Sequence, residues 1–191
     1  MSTSIHNYAN YINNIVTGNA GAVEGTKTVK GPLTGPSPNY FNIYAEGNAE
    51  WRFKATFKLS SLAGNRTLCN CSNGLKGWNI HILSNGRLYV ERGDYADGVT
   101  WTDWTFTTDT WYTVEIYGYG TKTSGTISAS VNGSSFVSKS TTTLWNSSSR
   151  FNKLLIIGNN DSNGNNYFTF KGEIIIKGTT HNPAGTQNEA Y

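Results

Sequence analysis

From Ala49 onward the chain alternates. Trp51, Phe53, Ala55, Phe57 and Leu59 fall at every second position, with Arg52, Lys54, Thr56 and Lys58 between them. A period of two predicts an antiparallel strand with one face buried and one in water. In GWNIHILSNGRLYVERG, Trp78, Ile80 and Ile82 lead to Asn85-Gly86, after which Leu88 and Val90 resume the apolar face. An Asn-Gly pair between two such runs predicts a hairpin closed by a type I′ turn, which needs positive φ at both central residues. WYTVEIYGYG and GTISASVNGSSFVSK repeat the device, turning at Asn132-Gly133, and FNKLLIIGNN and YFTFKGEIIIKG supply further strands. Trp51, Trp78 and Trp111 read as in phase with apolar strand faces and are assigned to packing. Many short strands divided by Gly and Asn turns predict an all-β domain of two packed antiparallel sheets, with a barrel as the alternative.

Ahead of these strands the pattern differs. Ile5, Tyr8, Ile12 and Ile15 are spaced by three and four, and Ser4 is placed to cap them, which predicts a short amphipathic helix over 3–16. TGNAGAVEGTKTVKGPLTGPSPNY is rich in Gly and Pro and has no period, so it reads as a linker or extended arm. The expected organisation is an anchor helix and arm over 1–46, a sandwich over 47–178 and a polar tail over 179–191.

Composition sharpens this picture. Only 37% of the 191 residues are hydrophobic, but 13% are aromatic, so the core's bulk is concentrated in rings. The net charge of +3 comes from scattered Lys and Arg without a dense basic run, which argues against nucleic acid as a partner. No apolar run approaches about 18 residues, so no membrane insertion is expected. The stretch MSTSIHNYANYINNIV lacks a basic start and a continuous apolar segment, and the expectation is a chain made in a cytoplasm without a signal peptide. Cys69 and Cys71 are separated by one residue on one side of a strand, where a bridge would strain the backbone. His6, His81 and His181 are too scattered to complete a metal site with them, and no metal or cofactor is expected.

Hydrolysis of a glycoside needs two carboxyl groups about 5 to 10 Å apart. Glu115 and Glu173 each stand alone, Glu46 and Glu50 bracket a Gly-Asn turn, and no Ser or Cys is arranged beside a histidine, so no catalytic residue is assigned. Binding chemistry is richer. ERGDYADGVTWTDWTF gathers Arg92, Asp94, Tyr95, Asp97, Trp101, Asp103 and Trp104. Aromatic faces stack on the apolar faces of sugar rings while Asp and Arg orient hydroxyls, and the same residues suit a protein interface. On a strand, Trp101 and Trp104 cannot share a face unless a bulge intervenes, so one of them is expected to face outward. Either ring could instead close the end of the core.

The order of WYTVEIYGY, ISASVNGSSF, LLIIGNN and FTFKGEIIIKG resembles the laminin-G-like jelly roll of the concanavalin A-like superfamily over residues 47–178. The matching positions are Trp111, Asn132-Gly133, Gly158, and Phe170 with Gly172. The resemblance implies a sandwich whose rim loops or concave sheet bind carbohydrate or protein, in some members with calcium. The acidic candidates for calcium are Asp161 and the pair Asp94 and Asp97, too few carboxylates for an ion that takes six to eight oxygens. If first and last strands pair as in the resembled fold, Lys171 and Lys177 join Arg52, Lys54 and Lys58 in a basic stripe. Such a stripe suits an acidic glycan or serves as a solvated, aggregation-resistant surface.

An arm, a Gly/Pro linker and an outward sandwich without catalytic residues match the layout of a virion accessory protein, most simply of a bacteriophage. On this expectation Ile5, Tyr8, Ile12 and Ile15 dock on other virion proteins or form a homo-oligomer, and the sandwich meets host-surface carbohydrate or protein. The alternative is a free, extracellular lectin or carbohydrate-binding module; a glycan-degrading enzyme ranks last.

Overall fold

Strand β3 (Ala49–Leu59) is hydrogen-bonded on both sides, and its alternation organises the sheet around it. In the computed structural model, residues 28–30, 33–34, 49–72, 77–92, 98–120, 124–141, 156–158, 167–181 and 187–188 are described. The other elements are β1 (Thr28–Lys30), β2 (Leu33–Thr34), β4 (Arg66–Ser72), β5 (Gly77–Ile82), β6 (Leu88–Arg92), β7 (Gly98–Trp101) and β8 (Tyr112–Gly120). They continue with β9 (Gly125–Val131), β10 (Val137–Thr141), β11 (Ile156–Ile157), β12 (Phe168–His181) and β13 (Gln187–Asn188). Every pairing is antiparallel. One sheet, here sheet A, runs β1-β12-β3-β8-β9-β10 with β13 also on β12; the other, sheet B, runs β2-β11-β4-β5-β6-β7. The chain is a two-sheet antiparallel jelly-roll sandwich, and no helix occurs among the described residues.

The inner faces supply the core. Phe53, Ala55, Phe57 and Leu59 of β3 meet Val114, Ile116, Ile127 and Ala129 from the same sheet and Ile80, Ile82, Leu88 and Val90 from the facing one. Phe57 is packed by Phe106 at 6.0 Å between ring centroids, Phe168 at 5.5 Å and Phe170 at 6.4 Å. Four aromatic rings thus do the filling that the modest hydrophobic fraction left open.

Trp101 is fully buried at the end of β7, and its indole N–H donates to the Val137 carbonyl of β10 at 2.9 Å. Those strands are the outer edges of opposite sheets, so one side chain both fills the core and ties the layers together. Gly158, at φ +68°, lies where any Cβ would come within 2.8 Å of the Phe170 ring. That contact gives a physical reason for a strand ending in Gly and another opening on Phe.

Several expectations change. Asn132-Gly133 forms the expected I′ turn, with φ of 53° and 75° and Ser134 N–H bonded to the Val131 carbonyl. Asn85-Gly86 does not. Here Gly86 N–H bonds to the Leu83 carbonyl and Leu83 N–H to the Arg87 carbonyl, while Gly86 alone has positive φ. This is a three-residue loop with glycine in the left-handed position. The Arg87 guanidinium then donates to the carbonyls of Thr102 and Trp104, at 2.6 and 2.9 Å, fastening the loop to the segment after β7. In β4, Leu68 is an extra residue: Thr67 pairs with His81 and Cys69 with Ile80, so Leu68 and Cys69 are both buried.

Parts of the arm and tail join the sandwich. β1 pairs with β12, β2 with β11, and β13 with β12, so residues 28–30, 33–34 and 187–188 add strands to the sheets beyond the expected bounds of 47 and 178. The helix expected over 3–16, with Ile5, Tyr8, Ile12 and Ile15, lies outside the described residues.

Truncating Trp101 to alanine is expected to lower stability by about 3 to 5 kcal/mol through lost burial of the ring and the cavity it leaves. Gly158→Ala should cost more than about 1 kcal/mol, because φ is positive and the methyl meets Phe170. Urea denaturation of both beside the exposed-site control Asp103→Ala checks this. A Trp101→Ala protein as stable as the control contradicts the assigned packing.

Candidate functional site

With the apolar positions of β3 turned inward, Arg52, Lys54 and Lys58 are turned out, and the register aligns them with outward residues of neighbouring strands. Arg52 lies opposite Tyr117 and Lys177, Lys54 opposite Glu115, and Thr56 opposite Thr113 and Lys171. The expected pairing of the basic stripe with the last strand is therefore observed in the backbone register.

The stripe is not uniform. The Arg52 guanidinium bonds to Glu115 Oε1, and Lys54 Nζ lies 3.4 Å from the other carboxylate oxygen. Burial alone would raise the Glu115 carboxyl, but Arg52, then Lys54 and a hydrogen bond from Tyr117, outweigh it and hold the pKa below the ordinary glutamate value. Glu115 is thus a fixed anion that positions two cations. Arg52 also lies over the Tyr117 ring at 4.9 Å, and Tyr117 meets Phe136 edge-on at 5.2 Å.

Beside this group is a concavity of about 380 Å³ lined by Lys54, Thr113, Glu115, Ser130, Asn132 and Gly133. Asn132 is held there by two bonds to Thr113, its side-chain oxygen accepting from the Thr113 N–H and its own N–H donating to the Thr113 carbonyl, both 2.8 Å. Gly133 leaves open space above its Cα. Phe136, 46% exposed, packs against Tyr117, and Tyr119, 58% exposed, is further along β8; both are large hydrophobic side chains left in water.

Of the seven candidates in ERGDYADGVTWTDWTF, the side chains of Trp101, Asp103 and Trp104 lie among the described residues. Trp101 is a core residue, which corrects its reading as a ligand-stacking candidate. β7 ends at Trp101, so Trp104 lies in the irregular segment beyond, half-buried against the core, with Asp103 exposed beside it. Arg92 closes β6 opposite Trp78 in the backbone, while Asp94, Tyr95 and Asp97 lie outside the described residues, as does Asp161. Calcium has no described candidate ligands to test. Trp111 also departs from its expected packing role: it shares parity with Thr113, Glu115 and Tyr117, and it is half-buried on the outward face beneath Lys58 and Lys171.

Sequence reasoning missed one further group. On the outer side of sheet B, His81 Nδ1 is 3.2 Å from Thr67 Oγ1, and His81 Nε2 is 3.1 Å from Glu91 Oε2, which also accepts from Asn79 Nδ2 at 3.3 Å. Asn79 and Glu91 are buried, at 3% and 8% exposure. A neutral imidazole satisfies both contacts, giving its N–H to Glu91 and accepting the Thr67 hydroxyl. Desolvation lowers the His81 pKa more than Glu91 raises it.

No protein-family model and no curated protein matches the chain. Among solved structures it is similar to the Ruminococcus gnavus IT-sialidase CBM40 bound to α2,3 sialyllactose, with 13% identity and a TM-score of 0.47 over 79% of this chain and 89% of that one. It is also similar to botulinum neurotoxin type C in a structure concerned with two ganglioside molecules, with 15% identity and a TM-score of 0.46 over 72% of this chain. A third is the binding domain of botulinum neurotoxin DC in complex with rat synaptotagmin II, with 11% identity and a TM-score of 0.47 over 80% of this chain. The chain spans about a third to two fifths of the length of those toxin chains, 33% and 42%. At such identity and superposition these likenesses assign neither family nor ligand.

Because the folded His81 pKa lies below the unfolded value of about 6.5, the unfolded state takes up the proton first. Stability is therefore full above that value and declines as pH falls towards the folded pKa. Urea midpoints of the wild type should drop between about pH 7.5 and 5.5, and His81→Gln should flatten that slope. An equal slope in both proteins contradicts the assignment.

Proposed function

We propose that the chain is a non-enzymatic glycan-binding sandwich whose binding face is the outer side of sheet A. The observation that carries this reading is the exposure of Phe136 against Tyr117, on which Arg52 stacks, with Tyr119 exposed further along β8 and the polar concavity on the same face. Exposed aromatic rings offer a sugar ring the apolar platform it needs next to hydroxyl-binding groups. Tyr119 and Phe136 supply the platform. Glu115 accepts from sugar hydroxyls, Lys54 donates to them, Ser130, whose hydroxyl proton goes to the Ser134 carbonyl, can accept, and Asn132 does both.

Arg52 and Glu115 hold each other in place, so the polar part of the site is organised before a ligand arrives, which lowers the ordering cost of binding. The Thr67, His81 and Glu91 group serves as a buried hydrogen-bond ladder of sheet B. Docking on a virion through Ile5, Tyr8, Ile12 and Ile15 rests on residues outside the described ones, and the glycan reading does not depend on it. The extracellular module and the virion attachment protein share the same binding face.

A glycan array probed with the wild type, Tyr119→Ala, Phe136→Ala and Trp104→Ala tests the proposal. Loss of either platform ring should weaken the strongest signals by about tenfold or more, equivalent to about 1.4 kcal/mol, while Trp104→Ala retains them if its fold is intact. Retention by both platform variants at wild-type strength, or binding of the wild type to no glycan, overturns it.

A further inference from the structure

Trp111 stands one residue before β8, outward like Thr113 and Glu115, and two ammonium groups sit against its half-buried indole. Lys171 Nζ lies 4.3 Å and Lys58 Nζ 5.5 Å from the ring centroid. They arrive from different strands, Lys171 from β12 and Lys58 from β3, which the register holds side by side. The attraction of an ammonium to an aromatic face is weak at exposed sites and adds no negative charge, so it positions the lysines without neutralising them.

The contrast with the neighbouring row is informative. There Glu115 pairs with both Arg52 and Lys54 and offsets one of their two charges. No ion pair engages Lys58 or Lys171 among the described residues. Glu115 is also the sole carboxylate among the described outward side chains of sheet A, against the four cations Arg52, Lys54, Lys58 and Lys171. The register adds the backbone position of Lys30, opposite Thr169, which is itself opposite Lys58. Two like charges converging on one ring repel each other, and an anion placed between them relieves that repulsion.

We infer that Trp111, Lys58 and Lys171 form a subsite for the anionic substituent of a sugar, a carboxylate or a sulfate, with the indole holding the two ammonium groups in place. The inference rests on the glycan reading above and adds the ligand class: an acidic saccharide. Thr113 lines the concavity and is two residues from Trp111, about 7 Å along an antiparallel strand, within the reach of one oligosaccharide.

The test is an array of neutral, uronate-bearing, sialylated and sulfated glycans, read with the full chain at low and physiological salt. Expected for the wild type is preferential retention of acidic glycans. Lys58→Gln with Lys171→Gln should reduce acidic signals at least tenfold, and the paired Lys→Arg changes should restore them. Lys171→Gln alone should reduce them far more than Lys139→Gln, an equal loss of charge on β10. Whether the uronate and sialyl spots or the sulfated spots respond separates the two anions. Equal losses for Lys139→Gln and Lys171→Gln indicate diffuse attraction to a basic protein and overturn the subsite, as does acidic retention unchanged in the double variant. Neutral-glycan signals lost in Tyr119→Ala and Phe136→Ala but kept in the lysine variants distinguish failure of this subsite from failure of the platform.

Discussion

The antiparallel pairing of β3 with β8 on one side and β12 on the other is the constraint from which the rest follows. Side chains alternate with period two, so moving β3 by one residue would exchange Phe53, Phe57 and Leu59 for Arg52, Lys54 and Lys58 in the core. Burying even one of those charges unpaired costs several kcal/mol, and this forbids the slipped registers. The same rule builds the outward face. By hiding the rings of one set, the strand presents the cations of the other in a row, next to the outward residues of β8.

That face has two chemically distinct parts because a single carboxylate serves only one of them. Glu115 holds Arg52 and Lys54, leaving a preorganised polar region whose positive charge is partly offset. One row along, Lys58 and Lys171 are held by the Trp111 ring instead. At the far margin of the sandwich, Trp101 ties β7 to β10 across the layers, so the sheet that carries the face is fastened at its edge as well as through the core.

Much of this was legible in the sequence. The alternation from Trp51 to Leu59, the I′ turn at Asn132-Gly133 and the two-sheet architecture follow from local pattern, because period and turn chemistry are local properties. What failed was mostly a matter of phase and long-range register. Trp111 counts with Thr113, Glu115 and Tyr117 rather than with Val114 and Ile116, and counting back from those buried residues would have placed it outward. The same count places Tyr117 and Tyr119 outward, where no cluster of tryptophans marks them. Trp101 and Trp104 posed a puzzle only while both were set on one strand, and β7 ends between them. The contact of Thr67 with His81, and of His81 with Glu91, depends on how three strands align, which no short motif encodes.

The central claim is that the outward face of sheet A, and not the rim segment after β7, is where the molecule meets a saccharide. Amide and aromatic chemical-shift mapping of the full chain, titrated with its strongest array glycan, tests this directly. The account predicts perturbations concentrated on Tyr117, Tyr119 and Phe136 with their neighbours on β3 and β9. Perturbations confined to Asp103, Trp104 and strands β5 to β7 would contradict it.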